Sequence, residues 1–194
     1  MPRIIAGEWR GRRIHAPAGR EVRPTTDRIR EAWMSSLHPA LPGARVLDLF
    51  AGSGALGLEC LSRGAAEVVF VEQSRPVVDT LRRNIGVLGA EPRCRVVTGD
   101  VFRELTRLPP AFDMALADPP YGEGLAVRLV EHFAQAPFAA ELWLEHSRAE
   151  VLPALPIQRQ RRYGDTLLST FAAIHPPDVD DPASMRTPAE EPHS

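Results

Sequence analysis

Four residues, Asp118-Pro119-Pro120-Tyr121, close the apolar run Phe112 to Ala117 and lie downstream of a glycine-rich segment, Asp48-Leu49-Phe50-Ala51-Gly52-Ser53-Gly54. Two adjacent prolines fix their φ angles and remove two backbone donors, so the carbonyls here stay available as acceptors instead of feeding a sheet ladder. A carboxylate beside such carbonyls can hold a planar NH2 group. The exocyclic amine of a nucleobase has its lone pair delocalised into the ring. Accepting its two hydrogens at fixed positions draws that lone pair toward an electrophile, and Tyr121 offers a face for the base. Alone, Asp-Pro-Pro reads as a proline-rich turn with a helix-capping Asp. Paired with the upstream glycine loop, it reads as a site that methylates an amine.

The elements that must hold these residues follow from the pattern of apolar runs. Arg45 to Phe50, Glu67 to Val71, Cys94 to Thr98, Phe112 to Ala117 and Glu141 to Glu145 have the composition of buried strands. Between them, Ala55 to Arg63 follows a glycine turn, and Val77 to Leu88 and Leu125 to Ala134 carry apolar residues at helical spacing. This β-α-β-α series predicts an α/β fold: a mostly parallel sheet, helices on both faces, and ligands at the carboxyl ends of the strands. Ile157 to Tyr163 and Leu167 to Ile174 predict a closing antiparallel hairpin through Gly164-Asp165. At the front, Arg3 to Ala6 and Arg12 to His15 flank Gly7-Glu8-Trp9-Arg10-Gly11, which predicts a second hairpin. Thr26 is placed to N-cap a helix from Asp27 to Leu37, with Ile29, Ala32, Trp33 and Leu37 on one face.

Gly52-Ser53-Gly54-Ala55-Leu56-Gly57 also satisfies the dinucleotide pattern, with Glu72 at the next strand end, so a nicotinamide cofactor is the rival ligand. Asp48 argues against it, because a carboxylate facing the glycine turn would repel a pyrophosphate. S-adenosylmethionine carries an ammonium and a sulfonium, which an acid at this corner favours. Glu72 suits ribose hydroxyls in either case. Asp100, at the end of the third strand, either accepts from an adenine amine or caps a helix starting at Val101. The candidate donor-binding set is Asp48, Phe50, Gly52, Ser53, Gly54, Glu72, Gln73, Asp100, Val101 and Thr26.

The chain has 194 residues, 44% of them hydrophobic, enough for one sizeable core. No apolar run approaches about eighteen residues and no signal-peptide pattern opens the chain, so a soluble cytoplasmic protein is expected. Cys60 and Cys94 read as reduced core residues, and the histidine spacings match no zinc motif, so no metal is expected. The net charge of −2 conceals an asymmetry. Residues 1–30 hold eight arginines against three acids, a net +5, while residues 176–194 sum to −4 with five prolines. The expected organisation is a basic hairpin arm over 1–24, a catalytic domain over 25–175 and a disordered acidic tail over 176–194. Every cation is an arginine, as GC-rich coding alone would produce.

Taken together, Arg3 to Arg12, Arg23-Pro24-Thr25-Thr26-Asp27-Arg28, the Asp48 to Glu59 segment, Asp118 to Tyr121 and Tyr163-Gly164-Asp165-Thr166 resemble the RsmD-type ribosomal RNA guanine-N2 methyltransferases in order and spacing. The resemblance covers roughly residues 3 to 174. It implies a class I methyltransferase fold, S-adenosylmethionine as donor, and one guanine of bacterial 16S ribosomal RNA as target, in an assembling or free small subunit. By position it makes Asp48, Gly52 and Gly54 the methionine side of the pocket, Glu72 the ribose acceptor, Asp100 the adenine acceptor, and Asp118, Pro119, Pro120 and Tyr121 the catalytic loop. It also gives the arm a role. Arg10, Arg12 and Arg13, with Arg23 and Arg28, would bind phosphate, and Trp9 would stack on an unpaired base. Residues 23–28 would either fold over the donor's carboxylate or reach the target. Arg159, Arg161 and Arg162 either extend the basic surface or protect an exposed edge strand. Arg13 departs from the lysine of many relatives, and the tail matches no family feature.

The implied chemistry is direct transfer without a covalent enzyme intermediate, by a protein acting as a monomer. The task is to place N2 in line with the S-methyl bond and to exclude water. Two alternatives stay open at this stage: a methyltransferase for another planar amine, adenine N6 or a protein glutamine, and a non-enzymatic RNA-binding assembly factor.

Overall fold

The computed structural model describes residues 2–16, 24–109 and 111–174. Its centre is one seven-stranded sheet in the order β3-β2-β1-β4-β5-β7-β6. The strands are β1 (Arg45–Leu49), β2 (Glu67–Glu72), β3 (Cys94–Thr98), β4 (Phe112–Ala117), β5 (Ala139–Ser147), β6 (Ile157–Tyr163) and β7 (Thr166–Ala172). The first five run parallel, and β7 inserts antiparallel between β5 and β6. The helices are α1 (Pro24–Leu37), α2 (Ala55–Ser62), α3 (Arg75–Leu88), α4 (Val101–Leu105) and α5 (Leu125–Gln135).

Strand alternation sorts the core into two layers. Val46, Phe70 and Trp143 face α1, α2 and α3, whereas Leu47, Leu49, Val71 and Leu144 face α4 and α5. The chain runs outward from β1 to β3, then crosses back to β4 beside β1. Leu49 is therefore in register with Ala117, and the loops that leave these two strands lie side by side. That is the topological switch point, where open parallel sheets bind ligands.

The expected strands and closing hairpin are present, with β5 longer at both ends than its apolar run suggests. Two local expectations change. Helix α1 begins at Pro24, so Thr26 lies inside the first turn and does not cap it; proline suits that turn because its missing N–H would have no helical partner. The helix that one reading of Asp100 expects at Val101 is present as α4, five residues long. The front hairpin keeps a single bridge, Arg3 to Arg13.

Residues 2–16 dock closely on the body. The buried Glu59 carboxylate of α2 accepts from the Ile5 and Ala6 N–H groups at 2.7 and 3.0 Å. Ser62 Oγ accepts from Trp9 N and donates to the Ala6 carbonyl. Gly7, at φ +82°, lies so close to Ser62 that a Cβ would fall 1.7 Å from its carbonyl oxygen. Ile4, Trp9 and Ile14 join the same core cluster as Val46. The expected acidic tail over 176–194, together with Arg23, lies outside the described residues.

Candidate active site

The glycine loop after β1 is shaped by backbone conformations that few residues adopt. Phe50 has φ +57°, in the left-handed region, where a residue with a bulky side chain is an outlier that marks functional turns. Gly54, at φ +79°, approaches α3 so closely that a Cβ would sit 2.4 Å from Leu81 Cδ1. Glu72 ends β2 with both oxygens on this corner: Oε2 accepts from Gly52 N at 3.0 Å and Oε1 from Ser74 N at 2.9 Å. The neighbouring Gln73 is exposed.

Asp48 is a correction. Its carboxylate is 1% exposed and turned inward, accepting from Gly57 N in the first turn of α2 at 2.9 Å. It therefore braces the loop from beneath and does not line an open pocket. Burial pushes its carboxyl well above the usual range; the Gly57 N–H opposes this, and the charges of Asp118 and Glu72 add to it. Repulsion of a pyrophosphate by this side chain is accordingly weaker than its position in the sequence suggests.

Asp100 caps α4, with Oδ1 accepting from Arg103 N at 3.0 Å. The cap leaves Oδ2 and the N–H groups of the first turn, at Val101 and Phe102, for a ligand. The Phe102 ring meets Phe50 edge-on at 6.5 Å and is covered by the Arg128 guanidinium at 3.8 Å.

Beside this corner, the Asp118 to Tyr121 loop leaves β4. Asp118 is half-buried, Pro119 is buried and Pro120 is exposed. Among the described residues the carbonyls of Pro119 and Pro120 enter no backbone hydrogen bond, as the paired prolines predict. Tyr121 is 40% exposed. Its hydroxyl donates to Glu145 Oε1 of β5 at 2.9 Å and lies 3.2 Å from Thr166 Oγ1 at the start of β7. Burial, then the charge of Asp118, pushes Glu145 up to about 8, against the lowering effect of the Tyr121 hydroxyl. Burial also raises the Tyr121 phenol, with Glu145 and Asp118 adding to the effect.

Glu145 did not figure among the residues expected from the sequence to act here. A signal was present: it is the charge that ends the run Leu142-Trp143-Leu144, as Glu72 and Asp118 end theirs. Asn84, buried on α3 and bonded to the loop at Ser53, was also missed; a single polar residue in an amphipathic helix carries no comparable signal.

Trp9 is a second correction. It is 5% exposed, and the Arg93 guanidinium lies 4.9 Å from its ring centroid, so the ring serves the core and is not available to stack on a base. Arg10, Arg12 and Arg13 are exposed, with Arg12 Nη2 reaching the Val87 carbonyl of α3. Thr26 and Arg28 lie on the backbone of α1, and their side chains are outside the described set.

A profile of the family described as "Conserved hypothetical protein 95" matches residues 2–172. The chain belongs to this family. It is 38% identical over 157 residues, 79% of each chain, to "Ribosomal RNA small subunit methyltransferase D" of Escherichia coli strain K12. A protein of the same name from Haemophilus influenzae is 37% identical over 131 residues, 66% of this chain and 68% of its own. Among solved structures, "Putative methyltransferase yhhF" of Escherichia coli superposes with a TM-score of 0.78 at 34% identity, covering 89% of this chain and 97% of the other. The fold is that of the class I methyltransferases, and the protein is an enzyme of that class.

Proposed function

We propose that this protein transfers a methyl group from S-adenosylmethionine to the exocyclic N2 of one guanine in small-subunit ribosomal RNA. The observation that carries the proposal is the register of Leu49 with Ala117, which sets the glycine loop and the Asp118 to Tyr121 loop side by side at the switch point. One loop suits a nucleoside with a charged tail, and the other suits a planar amine. The name of the Escherichia coli relative supports ribosomal RNA as the class of acceptor.

The residues present fit the donor by their chemistry. Glu72 keeps a lone pair on each oxygen for ribose hydroxyls, Asp100 Oδ2 can accept from the adenine amine, and the N–H groups opening α4 can donate to the ring. Bound there, S-adenosylmethionine would supply an electrophilic methyl group. Asp118 and the carbonyls beside it accept the N2 hydrogens and stabilise the positive charge that grows on N2, more in the transition state than before it. No dedicated strong base is required, and the proton that N2 then releases passes to Asp118 or to solvent. Because pairing hides N2 in the minor groove, the guanine must be unpaired or flipped, and the Tyr121 ring offers it a stacking face.

The exposed Arg10, Arg12 and Arg13, and Arg159 and Arg161 on the edge strand β6, would bind the flanking phosphates. Phosphate contacts alone carry no sequence information, so the shape of a free or assembling subunit in the cytoplasm would select the guanine.

Labelled donor incubated with the protein and naked 16S RNA, free small subunits or intact ribosomes, followed by nucleoside mass spectrometry, tests the proposal. N2-methylguanosine, formed best on free subunits, is expected. N6-methyladenosine would overturn it, and label in protein would move the activity to a glutamine amide.

A further inference from the structure

Tyr121 is the one aromatic side chain of the transfer loop, and its position is held from outside that loop. Its hydroxyl donates to Glu145 Oε1 at 2.9 Å and lies 3.2 Å from Thr166 Oγ1. These partners come from β5 and β7, two strands paired through Glu145 to Leu168 and Ser147 to Thr166. The neighbouring strand register, Leu144 with Ala117, brings Glu145 level with Asp118. A carboxylate buried within β5 near its carboxyl end, 8% exposed, costs stability unless a specific partner justifies it. The described partner of Glu145 is the Tyr121 hydroxyl.

We infer that Glu145, assisted by Thr166, is a positioning residue for methyl transfer: it locks the Tyr121 ring at the mouth of the site so that the ring presents a preset stacking face to the acceptor base. The inference rests on the amine-methylating reading of the Asp118 to Tyr121 loop. A ring tethered only at Cα would sample several rotamers when the base arrives, and ordering it then would weaken acceptor binding and misplace the amine. Tethering the hydroxyl to the sheet removes that cost beforehand. Among the described residues the donor corner, formed by the ends of β1, β2 and β3, shares no hydrogen bond with this clamp, so donor affinity does not depend on it.

The test is a double-mutant cycle of Glu145→Ala and Tyr121→Phe, measured as kcat and KM for the RNA acceptor alongside donor affinity by calorimetry. Each single variant should lower kcat/KM for RNA by about tenfold, and the double variant by about the same tenfold, with donor affinity within about twofold throughout. Glu145→Gln, whose amide oxygen still accepts the hydroxyl, should recover most of the loss. Multiplied losses in the double variant, or a fully active Glu145→Ala alongside an impaired Tyr121→Phe, overturn the inference.

A second readout needs no acceptor. The chain has two tyrosines, Tyr121 and Tyr163, so a Tyr163→Phe background leaves Tyr121 as the sole phenol. Alkaline titration of its phenolate absorbance should shift downward on Glu145→Ala. An unmoved titration means that the contact is absent in solution, and the inference fails whatever the product. If the wild type makes a product other than N2-methylguanosine, the proposed function fails instead, and the cycle is measured on that product.

Discussion

Asn84 Nδ2 donates to the Ser53 carbonyl at 2.9 Å, tying the middle of α3 to the glycine loop. The same carboxamide donates to the His15 carbonyl at 2.9 Å and accepts from His15 N at 2.7 Å. One buried side chain thus joins the end of the basic front segment to the donor loop. A polar group in this setting is held by full use of its bonding capacity, and removing it leaves His15 N and Ser53 O without partners.

Asn84→Leu should therefore cost about 1–3 kcal/mol of stability, and it should weaken donor binding as well because the loop loses a brace. Thermal denaturation and donor calorimetry check the two effects. Asn84→Asp should be worse than Leu for the loop, since it replaces two donors by acceptors facing carbonyls. Unchanged donor affinity in both variants would show that the Asn84 bond to Ser53 does not organise the loop.

Asp118 and Glu72 belong to different strand ends and should be separable in function. Asp118→Ala is expected to retain donor affinity and to lose roughly a hundredfold or more in kcat on RNA, the scale of losing one well-placed electrostatic group. Glu72→Ala should do the reverse first, weakening donor binding, because it removes the acceptor of both Gly52 N and Ser74 N. Near-normal turnover of Asp118→Ala would refute its role at the amine.

The central strands were legible because parallel strands buried on both faces read as continuous apolar runs, and β4 matches its run to the residue; the edge strand β3 is only partly buried and was read from its short Val96-Val97 pair. The site was legible only as far as strand ends. Period-two alternation places Asp48 on the face of Val46, but whether its carboxylate reaches a pocket or the backbone of α2 depends on where that helix begins. The turn at Gly54 settles this by packing against Leu81, a residue of the next helix but one that no local pattern connects to the loop. Trp9 misled for a similar reason. The family resemblance assigned the ring to RNA, yet it is buried and lies under Arg93, with its backbone N–H bonded to Ser62, an arrangement that only the docked segment creates.

Trp9 and the arginines around it should accordingly separate under mutation. Trp9→Ala is expected to destabilise the fold by about 3–5 kcal/mol, as large aromatic deletions from cores do. Replacing Arg10, Arg12 and Arg13 by alanine should leave stability nearly unchanged and flatten the salt dependence of RNA binding, by roughly 0.7 in log-log slope for each single-strand phosphate that is no longer neutralised. Denaturant melts and filter binding across salt concentrations distinguish the two. An unaltered salt slope in the triple variant would mean that these arginines form a solvated face only.

Glu145 makes stability itself depend on pH. Its carboxyl is held at about 8 in the folded protein against 4.5 for the free group. Below the lower value both states are protonated and the contribution is fully present. Between the two, the unfolded chain releases its proton while the folded protein retains it, so stability falls as pH rises and the loss is complete above the folded value. The raised carboxyl of Asp48 adds to this fall in the wild type and is common to any Glu145 variant. Glu145→Gln cannot titrate and still accepts the Tyr121 hydroxyl. It should match the wild type near pH 4 and exceed it by roughly 2–5 kcal/mol near pH 9, a difference set by the size of the shift. Thermal or urea denaturation of both proteins across that range measures it. Parallel pH profiles would mean that Glu145 ionises in the folded protein as readily as in the unfolded chain, and that Asp118 and burial do not hold its proton.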